Sequence, residues 1–184
     1  DIYIDNRNIK DIPKGILRAS VGMVPQDTWF KTSSIKDNML YGVKNRVITD
    51  DEIIRTSKKL GISSFINNLP HKYNEIITSK RDDISDGQKQ LLSISRAYIC
   101  NPSILILDEA TSSVDAITEN KITNAVRTLC KGRTSIIIAH RLSTIIDADM
   151  IVVMENGKII ELGNHNELVN KGGFYSKLYD SFVE

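Results

Sequence analysis

Two short apolar runs, on either side of an amphipathic segment of helix length, dictate the fold class of this chain. Residues 104–107 read ILIL and residues 135–139 read SIIIA, and each run is too short for a helix. Between them, apolar residues recur at helical spacing from Ile117 to Leu129, and Gly132 ends the pattern. This order predicts a βαβ unit, whose two strands are parallel and buried on both faces.

Composition then narrows the classes of protein to which this chain can belong. With 184 residues, 41% of them hydrophobic, we expect one globular domain. The 24 Lys and Arg against 23 Asp and Glu give a net charge of +1 with no basic block, so no nucleic-acid partner is expected. No apolar run reaches the roughly 18 residues of a membrane span.

The first half of the chain carries shorter patterns. Residues 2–6 alternate between apolar and polar and end in Asp-Asn, which predicts a strand and a turn, and residues 20–24 predict a second strand. Thr49, with Glu52 three residues later, predicts the capped start of two short helices over 49–69.

The second half adds a capped helix, a hairpin and a terminal helix. Ser85 and Gln88 have the spacing of a second capping box, and the helix that they open ends at the Asn-Pro pair 101–102. The Asn-Gly pair 156–157 lies between two apolar runs and predicts a hairpin. A final helix is expected over residues 165–182.

Polar side chains come after several of the predicted strands. Asp108 and Glu109 come directly after one apolar run, His140 after the other, and Gln26 after an earlier strand. Ligands bind beyond the carboxyl ends of the strands in open parallel sheets. Two adjacent carboxylates suit phosphoryl transfer, in which one holds Mg²⁺ and the next takes a proton from water. Taken alone, the pair is equally typical of residues that cap a helix.

The start of the helix at Ser85 is a second candidate site. A helix N-terminus carries unpaired backbone N–H groups and a partial positive charge that favour anions, and Gly87 lets the backbone approach a ligand closely. Taken alone, this pattern is more often an ordinary helix cap.

Five segments resemble, in order, the motifs of the ATP-binding cassette (ABC) family of nucleotide-binding domains. Because they keep the family's order and cover nearly the whole chain, a chance match is negligible. They are VPQD at 24–27, similar to the Q-loop; ISDGQKQ at 84–90, the signature motif; ILILDE at 104–109, the Walker B strand; ATSSVD at 110–115, the D-loop; and IAHRLS at 138–143, the switch-histidine loop.

The resemblance implies a role for each matching residue. Asp108 would hold Mg²⁺ through its water shell, Glu109 would be the general base, and His140 would hold the γ-phosphate of ATP and the attacking water. Gln26 would approach Mg²⁺ and relay the nucleotide state to a membrane partner.

Residues of the signature motif and the D-loop would act across a dimer. In this family two cassettes pair head to tail. The resemblance implies that Ser85, Gly87 and Gln88 bind ATP held by the second cassette, and that Asp115 bridges the two cassettes.

The resemblance also implies an α/β, P-loop NTPase-like fold with a parallel sheet core and an inserted helical subdomain. Residues 1–48 would form the remainder of the N-terminal core with the Q-loop, 49–100 the helical subdomain with the signature motif, and 101–184 the catalytic core.

The stretch from Gln26 to Gly42 and the HRLST sequence at 140–144 resemble the exporter branch of the family, whose members pump drugs, lipids or peptides outward. This implies an ATPase at the cytoplasmic face of the membrane, with a transmembrane domain contacted near Trp29 and Phe30 and along the Gln26 to Gly42 stretch.

The largest departure from the family pattern is that no GxxxxGK[ST] motif occurs, so the sequence carries no P-loop. Because the start at Asp1 resembles the family's segment just after the P-loop helix, we expect an N-terminal truncation that removes the P-loop strand and helix, and a fragment that is inactive alone. There are smaller departures as well. In the signature motif Asp86 stands where Gly is usual, and Leu91 stands where Arg is common. Before the motif, Ser79 and Arg81 occupy the places of the Glu and Gly that sense the membrane domain in exporters.

Two other functions remain open on the sequence. The chain could be a non-catalytic ABC-type interaction module, although Glu109 and His140 argue for catalysis. It could also belong to a soluble ABC ATPase of DNA repair, although the exporter-like stretch after Gln26 and the lack of a coiled-coil insertion argue against that function.

Overall fold

The computed structural model describes residues 1–44, 46–78, 84–108, 114–139 and 142–183, which divide into two units, 1–138 and 139–184. Four residues from the sequence analysis, Ser79, Arg81, Glu109 and His140, lie outside the described residues. Among the helices in these ranges, none is long and apolar enough to cross a membrane.

The first unit contains both strands and helices. Its strands are β1 (Tyr3–Ile4), β2 (Arg7–Asn8), β3 (Val21–Val24), β4 (Ser33–Ser34), β5 (Ile76–Ile77), β6 (Ile104–Asp108) and β7 (Thr134–Ile138). Its helices are α1 (Lys14–Ser20), α2 (Ile35–Met39), α3 (Asp50–Lys59), α4 (Ser63–Asn67), α5 (Asp86–Cys100) and α6 (Ala116–Cys130), with 3₁₀ turns at Ile9–Asp11 and Lys72–Asn74.

A parallel sheet carries the carboxyl edge at which the site was predicted. Strands β3, β6 and β7 pair in this order and all run in the same direction, while β1 pairs with β2 and β4 with β5 antiparallel. Helix α6 connects β6 to β7, so the predicted βαβ unit and the α/β fold class are confirmed.

Local sequence signals fix most helix ends in this unit. The Thr49 hydroxyl accepts a hydrogen bond from the backbone N–H of Glu52 at 3.3 Å and caps α3. Gly61, with φ +73°, separates α3 from α4, and the two predicted short helices are confirmed. Asn101, with φ +53°, ends α5 one residue before Pro102.

The parallel sheet buries one face only. Leu105 and Leu107 of β6 are buried in the main core with residues of α5 and α6. On the other face, Met23 (58% exposed), Ile136 (56%) and Ile138 (51%) are open to solvent in the described part of the chain. The prediction that both strands are buried on both faces is therefore wrong, since Ile104 and Ile106 of β6 are also only half-buried. An apolar run indicates how apolar a strand is, not whether a helix covers each side.

The second unit holds a hairpin and three helices within the described residues. They are α7 (Leu142–Ile145), β8 (Ile151–Glu155), β9 (Lys158–Gly163), α8 (His165–Lys171) and α9 (Phe174–Val183). Asn156 and Gly157 both have positive φ, 49° and 75°, which confirms the predicted hairpin turn. The single terminal helix that was predicted is two helices, because the chain adopts a left-handed conformation at Gly172 (φ +64°).

Glu161 of β9 caps the second of these helices. Its carboxylate accepts hydrogen bonds from the backbone N–H groups of Phe174 at 2.8 Å and Tyr175 at 2.9 Å. These two hydrogen bonds lower the pKa of Glu161 below its ordinary value, and the bond from Tyr175 has the larger effect. A Cβ atom on Gly173 would overlap the carboxylate, so a larger residue at that position would force the Glu161 side chain to shift.

We expect α9 to lose stability in acid through Glu161. Because the folded-state pKa of this carboxyl is lowered, its contribution is complete above the unfolded value, about 4.3, and is lost as the pH falls through the folded-state pKa. Glu161→Gln should therefore weaken α9 at pH 7, and the difference from the unsubstituted protein should vanish in acid. NMR shifts of the Phe174 and Tyr175 amides, followed by pH titration, measure this, and identical titrations of the two proteins would disprove the role.

Candidate functional site

The carboxyl edge of the parallel sheet brings two predicted site residues to neighbouring strands. Asp108 is the last residue of β6, and Gln26 lies two residues beyond the end of β3. In the parallel register Val24 pairs with Leu107, so both side chains belong to the same edge of the sheet. Asp108 is half-buried and Gln26 is exposed.

The donor atoms at this edge are of the kind that Mg²⁺ takes. Asp108 offers carboxylate oxygens and Gln26 an amide oxygen, and Mg²⁺ binds hard oxygen ligands through one or two carboxylates together with phosphates and water. Within the described ranges, no group of three or more His, Cys, Asp or Glu side chains is close enough to hold a metal ion. The oxygen donors of Gln26 and Asp108 are of the type found in Mg²⁺ sites that a ligand phosphate completes.

Helix α5 begins with the predicted capping box, and two of the predicted binding residues form it. The Ser85 hydroxyl accepts from the backbone N–H of Gln88 at 3.3 Å, and the Gln88 side chain accepts from the backbone N–H of Ser85 at 3.1 Å. The exposed Asp86 is paired with Lys89 at 3.1 Å. Gln88 thus shapes the turn, while the exposed Ser85 stands at the positive end of the helix.

Gly87 is buried between two helices. A Cβ atom at this position would lie 2.5 Å from Cγ2 of Thr118 on α6 and 3.0 Å from Cγ1 of Val114. Glycine here allows the first turn of α5 to contact the start of α6, a packing reason that the sequence motif did not reveal.

Asp115 caps the start of α6, beside this contact. Its carboxylate accepts from the backbone N–H groups of Ile117 at 3.1 Å and Thr118 at 3.0 Å. Hydrogen bonding lowers the pKa of Asp115, with the Thr118 side chain contributing most. The structure therefore joins two predicted site segments, the turn at Ser85 and the turn at Asp115, through Gly87 and Thr118.

Arg96 was not singled out in the sequence, yet it organises the segment after Gln26. Its Nε donates to the carbonyl of Asn38 at 3.0 Å, and both terminal nitrogens donate to the carbonyl of Trp29 at 3.2 Å. Burial lowers the pKa of Arg96. The sequence signal that could have identified Arg96 is that it is the one charged residue in the mostly apolar stretch 91–100.

The Trp29-Phe30 pair is divided between surface and core. Phe30 is buried in the main core, whereas Trp29 is 54% exposed and lies edge to face against the half-exposed Tyr41, with ring centroids 5.4 Å apart. Of the two residues predicted to contact a membrane domain, only Trp29 therefore offers an accessible ring. We call the exposed pair Trp29 and Tyr41 the aromatic surface.

Comparison with known proteins points to one family. Residues 1–112 match the sequence profile of the ABC transporter family. An "Uncharacterized ABC transporter ATP-binding protein" of Bacillus subtilis is 46% identical over 183 residues, 100% of this chain and 30% of that protein. A "Putative multidrug export ATP-binding/permease protein" of Staphylococcus aureus is 47% identical over 178 residues, 97% of this chain and 30% of that protein.

A solved structure is similar to this chain over nearly its whole length. The structure of a bacterial Atm1-family ABC exporter with ATP bound matches with a TM-score of 0.88 and 35% sequence identity, over 99% of this chain and 32% of that chain. The predicted fold is confirmed by this match. The chain spans about 30% of the length of the two bacterial relatives.

Proposed function

Because this chain belongs to the ABC transporter family, we propose that it is the ATP-binding and ATP-hydrolysing part of an exporter. The observation that carries the proposal is the three-dimensional match to an exporter with ATP bound, at 35% identity over 99% of the chain. The oxygen donors Gln26 and Asp108, at the carboxyl edge of the parallel sheet, support it independently.

In the proposed mechanism, Asp108 and Gln26 would hold Mg²⁺ beside the phosphates of ATP. The ion would supply positive charge that neutralises the phosphates during transfer. Glu109 takes a proton from water as the water oxygen bonds to the γ-phosphorus, and the bond from that phosphorus to the ADP oxygen breaks. His140 holds the γ-phosphate and the water in place.

A second cassette, paired head to tail, would complete the site. In this arrangement Ser85, Gly87 and Gln88 face the γ-phosphate of ATP held by the partner, and Asp115 bridges the pair. The 15-residue helix α5 supports this role, because its N-terminal N–H groups and dipole favour an anion. The Gly87–Thr118 contact makes the two turns at Ser85 and Asp115 one continuous patch.

The aromatic surface is the proposed contact for the transmembrane domain. Trp29 and Tyr41 lie in the Gln26 to Gly42 stretch and are half-exposed, and aromatic rings are common anchors of protein interfaces. The unit would then lie at the cytoplasmic face of the membrane. We further propose the subdivision into the Q-loop core (1–48), helical subdomain (49–100) and catalytic core (101–184).

Asp108→Asn in the complete transporter tests this function. Vesicles that carry the unsubstituted transporter should hydrolyse Mg-ATP. Loss of the carboxylate charge should lower that rate by about tenfold or more and raise the Mg²⁺ concentration needed for half-maximal rate, because metal sites lose about this much when a ligand interaction is removed. Asp180→Asn, at an exposed position on α9, is the matched control.

Two outcomes would contradict the proposal. Equal rates and equal Mg²⁺ dependence in the Asp108 variant would remove that residue from the site. No ATP hydrolysis by the unsubstituted transporter would favour the alternative of a non-catalytic interaction module.

A further inference from the structure

In the segment between β3 and α2, side chains form hydrogen bonds with backbone N–H and carbonyl groups. Asn38, which is 1% exposed, accepts from the backbone N–H of Lys31 at 2.9 Å and donates to the carbonyls of Lys31 at 2.9 Å and Ser34 at 3.1 Å. A buried backbone polar group without a partner is costly. Asn38 therefore fixes the shape of this segment, but it lies on α2, the helix that directly follows the segment.

Arg96 links the segment to a distant element. It lies on α5, 67 residues from Trp29, and its planar guanidinium binds the carbonyls of Trp29 and Asn38 at once. The same group lies 5.2 Å from the ring centroid of Phe30 and 5.3 Å from that of Tyr41. Arg96 thus contacts the aromatic surface through the backbone carbonyl of Trp29 and the ring of Tyr41.

Helix α5 connects Arg96 to the turn at Ser85. Arg96 lies 11 residues after Ser85 on one uninterrupted helix, which is about 16 Å along the axis. Most residues of that helix are buried, including Leu92 and Ile94, so bending the helix between its ends would disrupt the packing of the core.

We infer that Arg96 is a positioning residue that fixes the aromatic surface to α5, so that the surface and the turn at Ser85 move together. This inference rests on the proposed function, in which the surface contacts a membrane domain and the turn contacts ATP. The planar fork matters more than the charge, because an ammonium group lacks the geometry to bind both carbonyls and stack between two rings at once.

Hydrogen exchange with Arg96→Lys and Arg96→Gln tests the positioning role, with Arg55→Gln, an exposed arginine on α3, as the control. Both Arg96 variants should raise amide exchange in peptides from residues 27–41 by about tenfold or more, because charge-assisted hydrogen bonds are lost. Exchange in α6 should stay within about twofold in all variants. Trp29, the only tryptophan of the chain, should become more accessible to acrylamide quenching in both.

The Arg96→Lys variant distinguishes the effect of the guanidinium geometry from that of the charge. Normal exchange over 27–41 in Arg96→Lys would show that charge alone suffices and would overturn the inference. An equal rise in α6 would show that Arg96 only stabilises the whole unit, which would also overturn it.

A kinetic measurement on the complete transporter tests the coupling. Arg96→Lys should lower kcat for ATP by about tenfold with the KM for ATP changed less than about twofold, because Arg96 contacts none of the proposed nucleotide residues that the structure describes. An unchanged kcat would overturn the coupling. If the unsubstituted transporter hydrolyses no ATP, the proposed function fails, whereas the exchange result still tests the positioning role.

Discussion

Glu109→Gln in the complete transporter should reduce ATP turnover by a factor of about 10² or more, the contribution of a well-placed general base. The amide is nearly the same size as the carboxylate but does not accept a proton from water at neutral pH. Because Asp108, the proposed metal ligand, is unchanged, the affinity for Mg-ATP should stay within about threefold of normal. Steady-state hydrolysis and nucleotide binding, measured on the same preparation, check both parts.

The control for this variant is Glu155→Gln, which changes an exposed glutamate at the end of β8. It should leave turnover unchanged. If Glu109→Gln kept near-normal turnover, the general base would have to be another group. If it abolished binding together with turnover, Glu109 would act on the bound phosphates rather than on water.

Gly87→Ala should destabilise the first unit by about 1–3 kcal/mol through overpacking. The new Cβ would meet Cγ2 of Thr118 at 2.5 Å, a distance at which either the Thr118 side chain or one of the two helices has to shift. Helix propensity alone predicts the opposite sign, because alanine stabilises a helix by about 1 kcal/mol relative to glycine. The free energy of unfolding in urea therefore tests the sign as well as the size of the effect.

Thr118→Ser provides the matched rescue for the Gly87 variant. Serine removes the Cγ2 methyl group and keeps the hydroxyl group that bonds to Asp115. In the double variant we expect most of the lost stability to return. If stability returns but ATP turnover does not, Gly87 also contacts nucleotide. If Gly87→Ala alone were neutral or stabilising, the packing explanation would be wrong.

The elements that the sequence predicted are those with local signals. Capping at Ser85, the left-handed turn at Asn156-Gly157 and the apolar run of β6 each depend on residues within a few positions of one another. Gly172 is such a signal too, since a positive φ ends a helix, and the single-helix prediction for 165–182 overlooked it.

The features that the sequence did not predict depend on partners far away along the chain. Whether a face of β7 is exposed depends on which helices cover the sheet. The sequence around Ile136 does not indicate whether a helix covers this residue. The contact of Gly87 with Thr118 and the bonds of Arg96 to Trp29 join residues 31 and 67 positions apart, and no short motif encodes such pairs.

The candidate site also contains features that the sequence predicted and features that it did not. Gln26 and Asp108 were each predicted to follow a strand, because strand ends can be read from sequence. The pairing of those two strands, which brings both residues to one edge, was not predicted and is evident from the parallel register. Asp115 and Gln88 proved to be helix caps, a role that leaves their proposed contacts with a second cassette untested. The roles of Glu109 and His140 stay predictions.

The pairing of β3 with β6 also sets the order in which this protein can fold during synthesis. Val21 pairs with Ile104, 83 residues later, and helices α2 to α5 are encoded between them. At about 5–20 residues per second, the ribosome needs about 4–17 s to deliver the partner strand. The helices can form from local contacts in that interval, whereas the apolar strand β3 has to wait. Until β6 emerges, Val21 and Val24 lack their partner strand for seconds, and we expect chaperones to bind β3 in that interval.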